Sequence, residues 1–219
     1  LDAQTALRDD LRLLVMSATL DTDSLLSVLD DAAVVTSEGR SFPVELNYLQ
    51  RRPQDFLSAA VIALHVTRAV QDNVRSVLVF LPGVGEIHRV AAELKARLPE
   101  GVVITPLYGG LSLLDQRLAI EPAAQGQRKV VLSTAIAETS LTIEGIEVVV
   151  DLGLERCSVF SPRQGMDSLV TRTGSRASAD QRSGRAGRLG PGIAYRLWTE
   201  SEQGSRRAFS APEILEADL

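Results

Sequence analysis

Short apolar segments alternate with longer amphipathic segments along most of the chain. Five apolar segments follow Asn73, each bounded by Gly, Pro, Ser or Thr: VRSVLVFLPG, GVVITPLYG, RKVVLSTAI, IEVVVDLG and GIAYRLW. Runs rich in Val and Ile without polar alternation are typical of strands that are buried on both faces of a parallel sheet. An earlier segment, LRLLVMSAT, has the same character and also reads as a buried strand. We therefore predict an α/β fold with a parallel sheet of five or six strands.

Three segments between these strands have the periodicity of helices. From Val84 to Leu98, apolar residues recur at three- and four-residue intervals, and most charged residues fall between them. A longer helix is predicted at DFLSAAVIALHVTRAVQ and a shorter one at SLLDQRLAI. Right-handed crossovers through such helices would flank the sheet.

One segment interrupts the alternation. RCSVFSPRQGMDSLVTRT contains two β-like runs around SPRQG, whose Pro and Gly are turn residues. We predict an inserted, protruding β-hairpin from Arg156 to Thr171. Two candidate boundaries lack periodicity: SEGRSFPVELNYLQRRPQ, and TESEQGSRRAFSAPEILEADL, which is polar before a final helical start.

Composition narrows the class of protein. The 219 residues, 45% of them hydrophobic, suffice for one substantial core, and no apolar run approaches the length of a membrane span. The N-terminal LDAQTALRDD carries acids where a signal peptide needs a basic region. Cys157 is the single cysteine, so no internal disulfide can form. We expect a soluble cytoplasmic protein with no membrane contact.

Positive charge is concentrated in one segment, although the formal net charge is −5. Between Arg156 and Arg196 there are eight arginines and only two acids, Asp167 and Asp180. A solvated arginine-rich face is the ordinary explanation. Because the whole chain is acidic, a contact with nucleic acid would have to use such a local patch.

Within this basic segment, QRSGRAGR places Arg182, Arg185 and Arg188 three residues apart. A helix through SADQRSGRAGR would align them along one edge. Gly184 and Gly187 would each cost this helix about 1 kcal/mol relative to alanine, so we interpret them as points of close approach. Guanidinium groups at a close-packed seam suit phosphate, because they donate paired hydrogen bonds and stabilise charge on a transferring phosphoryl group.

QRSGRAGR resembles motif VI of superfamily 2 helicases, in the form shared by the DEAH-box group. Other segments resemble motifs of that group in the same order: MSAT resembles motif III, VLVFLPGVGEI motif IV, and LSTAIAETSLTIEGIEVVVDLG the long motif V. The predicted hairpin lies where that group has one. The resemblance extends over nearly the whole chain, and it implies a RecA-like motor domain of an ATP-dependent RNA helicase.

Such helicases bind ATP between two RecA-like domains, and the first supplies the phosphate loop and the DExH carboxylates. Neither G-x-x-x-x-G-K-[ST] nor DExH occurs in this sequence. The resemblance implies that residues 1–43 end the first motor domain, 44–203 form the second, and 204–219 begin a winged-helix domain. It implies ATP and Mg²⁺, bound mainly by the first domain, and mainly single-stranded RNA as partner. We expect the chain alone to be inactive.

The resemblance also implies roles for residues at the nucleotide. Gln181 would position the attacking water, and Arg185 and Arg188 would contact the phosphates as arginine fingers. Thr142 and Glu144 would contact the nucleotide or its water shell, with Glu144 near a ribose hydroxyl.

Further residues would support this site. Arg182 belongs to it, although we expect it to bind neighbouring carboxylates or backbone. Ser17 and Thr19 would couple ATP to domain closure, or would simply cap a helix. Members of the group often stack an aromatic residue on adenine where this chain has Ile120, so we expect relaxed nucleotide preference.

RNA contacts would come from loops at strand ends and from the hairpin. The candidates are Gly83, Thr134, Arg156, Arg163 and Arg172. Alternatively, Gly83 is a turn residue, Thr134 caps a strand, and the hairpin braces the winged-helix domain. Ala135 replaces a common asparagine, which weakens the case for RNA contact there.

Three function classes remain open at this point. The chain is half of an ATP-driven RNA helicase motor, a non-catalytic RNA-binding or scaffold module derived from one, or an unrelated α/β nucleotide-binding or transferase domain. No metal site is predicted within the chain.

Overall fold

A computed structural model describes residues 10–12, 14–16, 26–27, 29, 32–36, 42–139, 141–161 and 166–210. The chain divides into two compact units, Leu1–Ser37 and Glu38–Leu219. The domain limits expected from the sequence, at residues 43 and 203, stay predictions. Among the described residues, no helix has the length and apolar character that crossing a membrane requires.

The strand predicted at LRLLVMSAT is wrong for the described part of that segment. Residues 11–12 and 14–16 have no regular secondary structure, and the side chains of Leu14 and Met16 are 80% and 81% exposed. An apolar run forms a strand only where a neighbour accepts and donates its backbone hydrogen bonds. Ser17 and Thr19 lie outside the described residues.

Six parallel strands form the sheet of the second unit, in the order β1-β8-β5-β2-β4-β3. They are β1 (Val44–Tyr48), β2 (Ser76–Phe80), β3 (Val102–Leu107), β4 (Arg128–Ser133), β5 (Ile146–Asp151) and β8 (Gly192–Arg196). The central strands β2, β4 and β5 are buried along nearly their whole length, as continuous apolar runs predict. The predicted parallel sheet is therefore confirmed.

Strand β1 was not predicted, because its sequence VELNY lies in a segment that we read as irregular. It forms one edge of the sheet and pairs only with β8, from Val44 opposite Gly192 to Tyr48 opposite Arg196. An edge strand has an exposed side, so it tolerates polar residues such as Glu45 and carries no clear apolar signal.

Helices cover both faces of this sheet. They are α1 (Ala59–Asp72), α2 (Val84–Lys95), α3 (Leu113–Ile120), α4 (Ile136–Thr139), α5 (Arg176–Gly184) and α6 (Glu200–Ser205). Because side chains alternate along β2, Val77 and Val79 join the core beneath α1 and α2, whereas Leu78 and Phe80 join a second core on the other face. Residues from α3, α4 and the turn after α5 complete the second core.

The predicted hairpin is also confirmed, with slightly longer strands. Antiparallel β6 (Leu154–Ser161) and β7 (Met166–Thr173) pair outside the main sheet, with Cys157 opposite Val170. Arg163 lies outside the described residues, between β6 and β7 in sequence.

Candidate functional site

The helix that carries the motif VI arginines is shorter than predicted. The side chain of Ser175 caps α5 by accepting a hydrogen bond from the Ser178 N–H, and the helix ends at Gly184. Arg185 is the C-cap, and the N–H groups of residues 185–187 donate to the carbonyls three residues earlier. The prediction of one continuous helix through Arg188 is therefore wrong, because the chain tightens into a turn after Gly184.

The close approach predicted at two glycines is found at only one of them. A Cβ on Gly187 would lie 2.6 Å from the Phe42 carbonyl oxygen and 2.7 Å from Val44 Cγ2, whereas a Cβ on Gly184 would meet nothing within 4 Å. The Phe42 N–H also donates to the Gly187 carbonyl, at 2.9 Å. The arginine turn is thus packed directly against the segment that leads into β1.

Glu138 in α4 binds two of the motif arginines through different groups. Its carboxylate accepts from Arg182 Nε at 2.9 Å, and its backbone carbonyl accepts from Arg185 Nε at 3.1 Å. Arg185 Nη1 donates to the Leu141 carbonyl at 2.6 Å. Motifs V and VI are joined at this point, and Glu138 was not identified from the sequence because its partners lie more than forty residues away.

Arg182 is the central member of a buried ionic cluster. Its side chain is 3% exposed, and Nη1 donates to Asp151 Oδ1 and to the Leu154 carbonyl, both at 3.1 Å. Burial would lower the pKa of Arg182, but the negative charges of Asp151 and Glu138 outweigh burial and raise the pKa. Arg182 therefore binds two carboxylates and a backbone carbonyl, as we expected from the sequence.

One guanidinium nitrogen of Arg185 is buried, and no hydrogen-bond acceptor in the described part of the chain is within its reach. The residue is 5% exposed, and Nη2 has no hydrogen-bond partner among the described residues. Burial, then the charge of Arg188, lower the pKa of Arg185 to about 10, against an opposing effect of Glu138. The group therefore stays cationic at neutral pH. Nη2 of Arg185 is thus available to donate to an oxygen that the described residues do not supply.

Three of the remaining nucleotide candidates, Thr142, Glu144 and Arg188, are exposed beside the arginine turn. Arg188 Nη1 donates to Thr142 Oγ1 at 2.8 Å, which brings together two residues that were predicted from separate motifs. Glu144 is exposed, and its N–H donates to the Ile120 carbonyl at 3.3 Å. Gln181 is half-buried on α5, four residues before Arg185.

No group of three or more His, Cys, Asp and Glu side chains within the described ranges could hold a metal ion.

A second candidate site is a cavity at the carboxyl ends of β2 and β4. Its volume is about 200 Å³, and its lining residues are Leu81, Pro82, Thr134, Ala135, Leu154, Glu155, Arg156 and Arg182. Leu81 directly follows β2, and Thr134 directly follows β4. The cavity thus combines the loops of motifs IV and V with the base of the hairpin.

Gly83 and Arg156 lie against each other at the rim of this cavity. Gly83 is the N-cap of α2, and a Cβ there would lie 2.7 Å from Arg156 Nη1. Arg156 Nη2 is 3.7 Å from Glu86 Oε2, in the first turn of the same helix. A guanidinium and a carboxylate thus lie together beside the N-terminus of α2.

Arg172 lies at the other strand of the hairpin base. It faces Glu155 across β6 and β7, and its Nε donates to Glu155 Oε1 at 2.8 Å. Of the predicted phosphate-binding arginines of the hairpin, Arg156 and Arg172 thus lie beside carboxylates.

A further residue missed from the sequence fixes the root of the hairpin. Arg206 Nη1 donates to the carbonyls of Gly153 and Gly174, at 2.8 and 2.9 Å, and its guanidinium lies 4.0 Å from the Trp198 ring centroid. Gly153 has φ +68°, and a Cβ there would lie 2.6 Å from the Trp198 ring. Only glycine fits this position without strain. The polar segment around Arg206 had no sequence signal for such a role.

Comparisons with known proteins agree with the motif pattern. Residues 59–190 match the family model of the helicase conserved C-terminal domain. The whole chain is 54% identical to the ATP-dependent RNA helicase HrpB of Escherichia coli (strain K12), of which it covers 27%. It is 46% identical over 204 residues to the pre-mRNA-splicing factor ATP-dependent RNA helicase prp22 of Schizosaccharomyces pombe, a match that covers 89% of this chain and 17% of that protein.

A solved structure has the same fold. The crystal structure of the E. coli DExH-box NTPase HrpB has a TM-score of 0.92 and 53% identity to this chain, over 100% of this chain and 27% of that one. The chain thus spans about a quarter of this relative. The family resemblance inferred from the motifs is confirmed. The chain belongs to the family of the helicase conserved C-terminal domain, and it has the RecA-like fold of the corresponding part of HrpB.

Proposed function

We propose that the chain is the second half of an ATP-driven RNA helicase motor and supplies the arginine fingers for ATP hydrolysis. The observation that carries this proposal is the buried, unpartnered Nη2 of Arg185, whose Nε and Nη1 are fixed by backbone carbonyls. A γ-phosphate oxygen would supply the acceptor that Nη2 needs. Because the guanidinium is already held in place, its contact with the developing charge would need little reorganisation.

The other nucleotide residues would act around this arginine. Arg188 would contact the phosphates after exchanging its hydrogen bond with Thr142 for one to oxygen of the nucleotide. Gln181 would orient the attacking water. Glu144 would accept from a ribose hydroxyl, and Arg182 would support the site from beneath through Glu138.

The partner half of the site would come from a first RecA-like domain. This domain would bring the phosphate loop, the carboxylates that hold Mg²⁺, and the binding surface for most of the ATP. Residues 1–43 would end it, 44–203 would form the second motor domain, and 204–219 would open a winged-helix domain. We place the protein in the cytoplasm. The chain alone would not hydrolyse ATP, because neither phosphate-loop nor DExH motif is in its sequence.

Single-stranded RNA would run past the cavity beside the hairpin. Thr134 and the backbone at Gly83 would approach phosphates from the strand ends, and Arg156 and Arg172 would supply charge from the hairpin base. Contacts to phosphate position the strand without reading the bases. RNA binding would therefore be tolerant of sequence and sensitive to salt.

Replacing Arg185 in the full-length protein tests the arginine-finger proposal. Arg185→Ala should lower kcat for ATP hydrolysis by about 10³-fold, as loss of an arginine finger does elsewhere. Arg176→Ala is the matched control, because Arg176 lies exposed on the same helix. Near-parental kcat in a folded Arg185→Ala protein would show that this arginine is structural. A parental protein with no ATPase at all would leave the non-catalytic RNA-binding module as the correct description.

A further inference from the structure

Helix α3 is attached to the domain by few side chains. Of its eight residues, only Ala119 is buried. Leu113, Leu114 and Leu118 are 85%, 68% and 56% exposed. Burial of an apolar face is the usual means by which a short helix is held in place. Another interaction must therefore fix α3.

That interaction is made by Lys129, the second residue of β4. Its side chain is 4% exposed, and Nζ donates to the carbonyls of Leu118, at 3.2 Å, Ala119, at 2.9 Å, and Glu121. The Lys129 N–H is itself held by Ser76 Oγ at 3.0 Å. The last carbonyls of a helix lack partners within the helix and carry the negative end of its dipole. One ammonium group at the start of β4 supplies hydrogen bonds to this end of the helix.

The choice of lysine here is specific. Only two of the 23 Lys and Arg residues are lysines, and the other, Lys95, is exposed. An ammonium group has three donors on one atom, so it suits three carbonyls that converge on a point, whereas a planar guanidinium does not. Burial lowers the pKa of Lys129, and the nearby charge of Glu121 opposes this effect.

The end of α3 is continuous with the candidate nucleotide edge. Ile120 is the last residue of the helix, and its carbonyl accepts from the Glu144 N–H at 3.3 Å. Two residues before Glu144, Thr142 accepts from Arg188. A shift of the α3 terminus would therefore move the residues that we place at the base and ribose.

We propose that Lys129 is a positioning residue for the nucleobase side of the ATP site. By holding the C-terminus of α3, it keeps Ile120 and Glu144 in one arrangement against the base and the ribose. Lys129 itself does not contact the nucleotide. This inference rests on the proposed function, because it needs ATP to bind at this edge.

The test uses the full-length protein with Lys129→Met and Lys129→Arg, and Lys95→Met as the control. Both Lys129 variants should raise KM for ATP about fivefold or more and leave kcat within about twofold, because binding is weakened without loss of a transition-state contact. The ratio of kcat/KM between ATP and CTP should also change. Lys95→Met should leave all three values at their parental levels.

Hydrogen exchange provides a second readout that does not depend on activity. Amides of residues 113–121 should exchange faster in both Lys129 variants, whereas amides of β2 and β5 should not. Parental KM and parental exchange in either folded variant would overturn the inference. If Lys129→Met does not fold, KM for ATP and hydrogen exchange in Lys129→Arg test the inference, since this variant keeps the positive charge.

Glu144→Ala separates this inference from the proposed function. A raised KM for ATP in Glu144→Ala together with parental KM in the Lys129 variants would reject the role of Lys129 alone. Parental KM in Glu144→Ala would reject the nucleotide edge itself, and the role of Lys129 with it.

Discussion

Arg182 and Asp151 form an ion pair in the interior of the domain, with 3.1 Å between Nη1 and Oδ1 and side chains that are 3% and 1% exposed. Asp151 Oδ1 also accepts from the Gly153 N–H at 2.8 Å, where the chain turns from β5 into the hairpin. A pair this deeply buried contributes little net stability while it is intact, but removal of one charge leaves the other without compensation.

We therefore expect Asp151→Asn to destabilise the chain by about 3 to 5 kcal/mol, the usual cost of breaking a buried pair. Urea unfolding measures this loss. Glu93→Gln is the matched control, because it removes an exposed pair with Arg97 and should cost below about 1 kcal/mol. Equal losses in the two variants would show that Arg182 and Asp151 are not coupled.

Substitution by alanine should have opposite effects on stability at Gly184 and at Gly187. Gly187→Ala should cost about 1 to 3 kcal/mol, since the new Cβ meets the Phe42 carbonyl and the backbone must move. Gly184→Ala should be neutral or stabilising by up to about 1 kcal/mol, because it lies at the end of α5 with open space around it. Urea unfolding of both variants checks this, and destabilisation by Gly184→Ala would contradict it.

Arg156 gives a test of the RNA path in the full-length protein. Arg156→Ala should weaken RNA binding and make the slope of log K against log salt shallower by about 1, because one phosphate contact is lost. Arg97→Ala is the control, as Arg97 follows α2 at its far end and pairs only with Glu93 in the described contacts. Gly83→Ala should also weaken RNA binding, because its Cβ would displace the ends of the Arg156 and Glu86 side chains, and it should cost below about 1 kcal/mol of stability as an N-cap substitution. An unchanged salt slope in Arg156→Ala would reject the RNA contact of Arg156 and favour the alternative that the hairpin braces the winged-helix domain.

Glu138→Gln separates structural from catalytic effects at the junction of motifs V and VI. The substitution removes the charge that pairs with Arg182, so we expect a loss of about 1.5 to 3 kcal/mol in unfolding free energy. The bond from Arg185 goes to the Glu138 backbone carbonyl and should survive. Basal kcat of the full-length protein should then fall far less than in Arg185→Ala. A fall of the same size would mean that the carboxylate itself orients Arg185.

The apolar pattern was sufficient to predict the central strands, since a strand that is buried on both faces contains almost no polar residues. The pattern missed β1, which is half-exposed, and it wrongly predicted a strand at LRLLVMSAT. Hydrophobicity alone does not indicate whether a segment has a pairing partner. The end of α5 depends on the contact between Gly187 and Phe42, and the partners of Arg182 lie 31 and 44 residues away. Local periodicity contains no information on such distant pairs.

Residues 206–208 are bonded to two parts of the domain at once. Arg206 holds both ends of the hairpin, and the carbonyls of Arg207 and Ala208 accept from the Arg176 and Ala177 N–H groups at the start of α5. A displacement of residues 206–208 would therefore be transmitted both to the hairpin and to the helix that leads to Arg185. The hairpin beside the cavity and the helix before the arginine turn thus depend mechanically on one three-residue segment.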